Sequence, residues 1–100
     1  MNIYKTPAPN EASERAAAFF NSLVTTHVNL VSSLFNRWLD EKKYEDINDY
    51  RKPFEPILVE FDVTISKMNK SPFGFDFIAD GRTYKFSVKS NGSISFNRIK

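Results

Sequence analysis

His27 is the single histidine of the chain, and histidine is the side chain best suited to moving a proton near neutral pH. Phe20, Leu23, Leu30, Val31 and Leu34 share its helical face. In a pocket between that helix and a second layer it would act as a general base or a ligand. A buried, hydrogen-bonded core histidine has the same neighbours. That structural reading outweighs the catalytic one, because no acid, nucleophile or second imidazole stands at a fixed spacing from it. A metal site would have to be completed by carboxylates alone, so neither metal nor cofactor is expected.

A second set with chemical capacity is cationic. Arg82, Lys85, Lys89 and Arg98 flank Tyr84, and some small ribonucleases work with Lys, Arg and Tyr alone. The same residues are explained as exposed strand positions around a tyrosine at the edge of the core, so ribonuclease activity ranks third among the readings. Other chemistry is poorly supplied. The chain has no cysteine and three glycines, which removes thiolate sites, disulfides and a phosphate-binding glycine loop. No Gly-x-Ser-x-Gly elbow occurs. Asp46-Ile47-Asn48-Asp49 lacks the later glycine and glutamate of a calcium loop. The first residues hold no apolar signal core. With the lack of cysteine, this leads to an expectation of a cytoplasmic protein.

Charge adds a mild asymmetry. Residues 1–50 carry five basic and seven acidic residues and residues 51–100 nine and five, so the halves stand at −2 and +4. From Arg82 to Lys100 there are five bases and no acid. A net charge of +2 does not argue for nucleic acid. Base stacking also needs exposed rings among the bases, and here the strand aromatics alternate onto the face a helix should cover. Nucleic acid is therefore disfavoured as a partner.

The elements that must position these residues follow from periodicity. Residues 1–9 read as an extended arm with Pro7 and Pro9, and residues 10–100 as a single α+β domain. Asn10 is a suitable N-cap, with Glu11 and Glu14 in the first turn. Over residues 11–40 the apolar residues fall on one broad face at about 100° per residue, predicting a long amphipathic helix. Val24, Thr25 and Thr26 weaken it, so a break is expected near Thr25–Thr26. Residues 16–36 hold no Lys, Arg, Asp or Glu, a length that could span a bilayer. Eight of them are Ser, Thr or Asn and segregate to one side, so a membrane span is rejected. Tyr44, Ile47 and Tyr50 suggest a short second helix.

The remainder reads as four strands. Ile57, Val59, Phe61, Val63 and Ile65 alternate with Leu58, Glu60, Asp62, Thr64 and Ser66, and Phe73, Phe75 and Phe77 follow. Tyr84, Phe86 and Val88 come next, then Ile94 and Phe96. A two-residue loop at Asp80-Gly81 pairs Phe77 with Tyr84, Phe75 with Phe86 and Phe73 with Val88 on one face. A three-residue loop, Ser90-Asn91-Gly92, continues the match with Val88 opposite Ile94 and Phe86 opposite Phe96. The first two strands, paired by their apolar residues, would set Asp62 beside Asp76. A long helix followed by an antiparallel meander is similar to the cystatin-like arrangement, a likeness of element order only. The Gln-x-Val-x-Gly loop of protease-inhibiting cystatins is absent, so that activity is not implied.

The outer face of the long helix offers Asn, Ser and Thr where solvent-facing helices usually carry Lys and Glu. Charge depletion is a mark of interface cores. Thr25, Asn29, Ser32 and Asn36 are therefore the expected interface residues, touching a protein partner or a second copy. The leading expectation is a non-enzymatic protein-binding module: a homodimer, an inhibitor or an adaptor, as in accessory proteins of mobile elements. The alternative is a small-molecule-binding protein or enzyme with a pocket near His27.

Overall fold

A computed structural model describes residues 4–5, 12–41 and 47–100. Asn10, Glu11, Tyr44 and Asp46, and all of the arm but Tyr4 and Lys5, lie outside the described residues. Helices pack on a four-stranded antiparallel sheet, an α+β architecture. Along the chain come β1 (Tyr4–Lys5), α1 (Glu14–Val24), α2 (Val28–Glu41), a 3-10 helix (Ile47–Phe54) and α3 (Glu55–Phe61). Then follow β2 (Thr64–Lys70), β3 (Phe73–Ala79), β4 (Arg82–Val88) and β5 (Ser93–Arg98). The sheet order is β1-β5-β4-β3-β2, with the two-residue β1 parallel to β5 and the remaining pairs antiparallel.

The long helix is two helices. α1 starts at Ser13, whose hydroxyl accepts from the Ala16 amide at 3.1 Å. It ends where the weak helix formers cluster. The Thr25 hydroxyl and amide both donate to the Asn21 carbonyl, at 2.6 and 3.0 Å. That carbonyl is thus satisfied within the turn. Residues 25–27 form a turn, and the His27 amide donates to the Ser22 carbonyl at 2.9 Å. The short second helix is the 3-10 segment.

The first predicted strand is overturned in part. Residues 55–61 are helical, and Val59, expected on the inner face, is 82% exposed. Ile57 is buried while Leu58 and Phe61 pack against the core. These positions also fit a one-sided helix, since Ile57, Leu58 and Phe61 are spaced i, i+1, i+4. Pro56 in the first turn is the local helix signal. Asp62 then ends α3 in the left-handed region, φ 55, and is not in a strand. It has no pairing with Asp76, whose partners across the sheet are Lys67 and Lys85. The Asp76 carboxylate accepts from Asn69 Nδ2 at 3.0 Å.

The rest of the meander has the predicted register. Phe73, Phe75 and Phe77 face Val88, Phe86 and Tyr84, and Phe86 and Val88 face Phe96 and Ile94. Asp80 and Gly81 have φ of 53° and 74°, the pair of positive values a type I′ hairpin needs. In the second loop the Gly92 amide donates to the Lys89 carbonyl at 2.8 Å, and Gly92 has φ 90°. Asn91 Oδ1 accepts from the Ser93 amide at 2.9 Å, which closes the loop without a longer excursion.

The core is a stack of rings. Phe75 lies on Phe86 at 4.8 Å between centroids and Phe77 on Tyr84 at 5.3 Å. From α1, Phe19 meets Phe77 edge-on at 5.0 Å and Phe20 meets Phe96 at 4.4 Å. Phe54 of the 3-10 helix meets Phe75 at 5.1 Å. Fully buried aromatic side chains with no polar atom maximise transferred area without asking for hydrogen-bond partners.

Gly74 marks the tightest backbone approach. A Cβ there would run into the Phe86 carbonyl of the neighbouring strand and sit 3.1 Å from the Ser87 Cα. Neither atom belongs to a flexible side chain, so the strand itself would have to shift. Gly74→Ala should therefore destabilise the fold by about 1–3 kcal/mol or more. Urea denaturation checks this: the midpoint falls at unchanged slope, whereas an unchanged midpoint would mean the sheet yields freely at this point.

Candidate functional site

The four expected interface residues do not share one helix. Thr25 caps α1, while Asn29, Ser32 and Asn36 stand on α2. Their i, i+3, i+7 spacing keeps the α2 residues on one side. Thr25 and Asn29 are exposed; Ser32 and Asn36 are half-buried. Ala18, Asn21, Thr26 and Ser33 are exposed as well, so an uncharged surface runs over the helix break. His27 sits in that turn, half-buried, and not fully buried at mid-helix as the periodicity predicts. The break rotates it out of the row formed by Phe20, Leu23 and Val31.

A groove of about 460 Å³ opens where α2 leaves the sheet. α2 supplies Phe35, Trp38 and Leu39. The turn after β2 supplies Lys70, Ser71 and Pro72, with Phe73 beneath them. Val88, Lys89 and Ser90 close the other side. Trp38 is held from two directions: it stacks on Phe73 at 5.7 Å and 20°, and meets Tyr50 edge-on at 5.8 Å. It is nonetheless only half-buried. The floor is therefore apolar and rigid, and the two charged groups lining it among the described residues are both lysines. His27 lines neither this groove nor the next.

The second groove, about 490 Å³, lies between α1 and α3 and includes Glu14, Arg15, Glu60 and Asp62. Arg15 occupies its charge centre, bonded to Asp62 at 2.6 Å and paired with Asp80 at 3.3 Å. These are solvent-exposed pairs and contribute little stability, typically under about 1 kcal/mol. Among the described residues no group of three His, Asp or Glu side chains could hold a metal ion. No described helix is long and apolar enough to cross a membrane.

The cationic set around Tyr84 is divided by the sheet. Tyr84 and Arg98 are register partners on the inner face, whereas Lys85 points to the outer face and Lys89 lines the groove. The Tyr84 side chain is buried, and its hydroxyl accepts from the Ser13 amide at 3.0 Å. It serves as an anchor for the start of α1. Burial pushes the Tyr84 phenol up, but the Ser13 amide and hydroxyl and the Arg82 guanidinium outweigh it, so it titrates below the ordinary phenol range.

The groove was not foreseen from the sequence. Trp38 counts as one apolar residue in a helical pattern, and Lys89 as an exposed strand position; only the meander register brings the two strand ends with Lys70 and Lys89 to the same end of the sheet. Compared with known proteins, the chain matches no family model, no curated protein and no solved structure.

Tyr84→Phe removes the acceptor of the Ser13 amide and should cost about 1 kcal/mol at pH 7. The pH dependence has a definite sign. The folded-state phenol ionises below its unfolded value of about 10. Its ionisation therefore stabilises the fold fully above that value, and the gain is lost as the pH falls through the folded pKa. The stability gap between wild type and Tyr84→Phe should widen from pH 7 to pH 10. Chemical denaturation across that range, with phenolate absorbance on the same samples, measures both; a gap that narrows contradicts the assignment.

Proposed function

We propose that this chain is a non-enzymatic binding module that acts through protein contact, as a homodimer, an inhibitor or an adaptor. The supporting observation is the uncharged polar surface that crosses the α1–α2 turn, where Asn21, Thr25, Thr26, Asn29 and Ser33 are all exposed. Short side chains lose little entropy when a partner orders them. No charge there has to leave water, which removes the largest cost of covering a polar surface. A second copy could meet it through a symmetric contact of the same patch with itself. The cystatin-like element order stays a likeness and lends no activity to this reading. The cysteine-free composition suits a cytoplasmic setting.

The small-molecule alternative is favoured by one observation, the apolar groove beside Trp38. Its site is thus at the far end of α2 from His27. The ribonuclease reading is weakened by the burial of Tyr84.

Asn29→Lys with Ser32→Lys puts two charges into the uncharged surface while the inner face of α2 is untouched. Wild type is expected to self-associate in size exclusion with light scattering, and the double variant to run as a monomer with a similar melting temperature. If both run as the same species and hold the same partners in pull-downs, the surface is only solvated and the module reading loses its support.

A further inference from the structure

We propose that the groove between α2 and the two turns binds a short extended peptide segment with an acidic residue, a bulky apolar residue, any residue and a second acidic residue in sequence. This goes beyond the contact surface on the helix break and uses the C-terminal end of α2, around Trp38 and Leu39.

The volume, about 460 Å³, lies in the range of sites that enclose a small group, roughly 300–1,000 Å³. Phe35, Phe73 and Val88 are almost fully buried, so the apolar surface left to a ligand is the half-exposed Trp38 and Leu39 with Pro72. That is room for one apolar anchor. Among the described residues the charged lining is basic, Lys70 on one side and Lys89 on the other, both exposed. A complementary ligand is acidic at both flanks of its anchor.

The register sets the spacing. Lys70 faces Phe73 across one strand pair, Phe73 faces Val88 across the next, and Lys89 follows Val88. Two strand spacings place the lysine backbones roughly 10 Å apart. An extended peptide in the polyproline II conformation advances about 3.1 Å per residue with three residues per turn, so two acids three positions apart return to one face at a separation that matches the two lysine positions. Single-stranded nucleic acid would want successive exposed rings for stacking, and among the described residues Trp38 is the one half-exposed aromatic ring of this groove.

Trp38 is the sole tryptophan, so its emission reports the groove without a label. The probe is the acetylated, amidated peptide Glu-Asp-Leu-Phe-Asp-Glu, titrated at low ionic strength with excitation selective for tryptophan. Expected is a saturable change in Trp38 emission. Affinity should fall at least tenfold when the acids become Asn and Gln, when Leu-Phe becomes Ser-Ser, or in the variant Lys70→Glu with Lys89→Glu. That variant alters two exposed residues, one at the end of β2 and one just after β4, and circular dichroism verifies that it folds. Asn29→Lys with Ser32→Lys should bind the peptide as wild type does, which separates this proposal from the helix-surface reading. No saturable change up to millimolar peptide overturns the proposal. So does equal binding of the uncharged peptide, or tighter binding of an oligothymidylate or of inorganic phosphate.

Discussion

Phe19 and Phe20 are consecutive in sequence, yet each finds its own ring on the sheet: Phe19 the edge of Phe77, Phe20 the face of Phe96. Two adjacent helix positions are about 100° apart, so α1 must lie along the sheet with both directed downward. Other placements follow from this docking. Tyr84 then meets the first turn of α1 and accepts the Ser13 amide. Arg15 comes within reach of Asp62 and Asp80, at the end of α3 and at a hairpin tip. Losing either phenylalanine would typically remove about 3–5 kcal/mol, a large part of the stability of a domain this size.

The break after Val24 decides what the second helix can do. A continuous helix would carry the residues after Thr26 along the line of α1. The turn at residues 25–27 redirects the chain, and α2 delivers Phe35 and Trp38 to Phe73 at the other end of the sheet. The groove exists because α2 and the sheet part company there while Trp38 is still pinned by Phe73 and Tyr50. The 3-10 helix completes the layer: Phe54 covers Phe75, and Arg51 donates to the Ile65 carbonyl on the β2 edge at 2.7 Å.

What could be read from the residues alone is the part governed by short-range rules. The strand pairings of Phe73, Phe75 and Phe77 follow from a period of two and from what Asp80-Gly81 and Asn91-Gly92 allow as turns. The helix break is legible as a cluster of β-branched residues. Residues 57–61 are helical and not a strand because Ile57 and Phe61 satisfy both patterns and only Pro56 distinguishes them, whereas Ile65 does lie buried on a strand. Ser13 caps α1 by a local rule, but its anchoring to Tyr84, a residue 71 positions away, is one that no local rule reaches. The groove is invisible for the same reason: Trp38, Lys70 and Lys89 become neighbours only through the topology.

The pairing of β1 with β5 has a consequence for the order of assembly. Tyr4 and Lys5 find their partners at Ser93 and Ile94, with every helix and the first three strands of the meander lying between them in the chain. Local turns and the β3–β4 hairpin can form early, since their ends are close in sequence and the entropy of closing them is small. The parallel edge has no template until β5 exists. During vectorial synthesis β1 thus emerges well before its partner, and a chain truncated before Ser93 would hold the helices and most of the meander without that seam. A two-residue strand paired on one side only has few ladder hydrogen bonds to lose, so its amides should exchange with solvent faster than those of β3 and β4, which are paired on both sides.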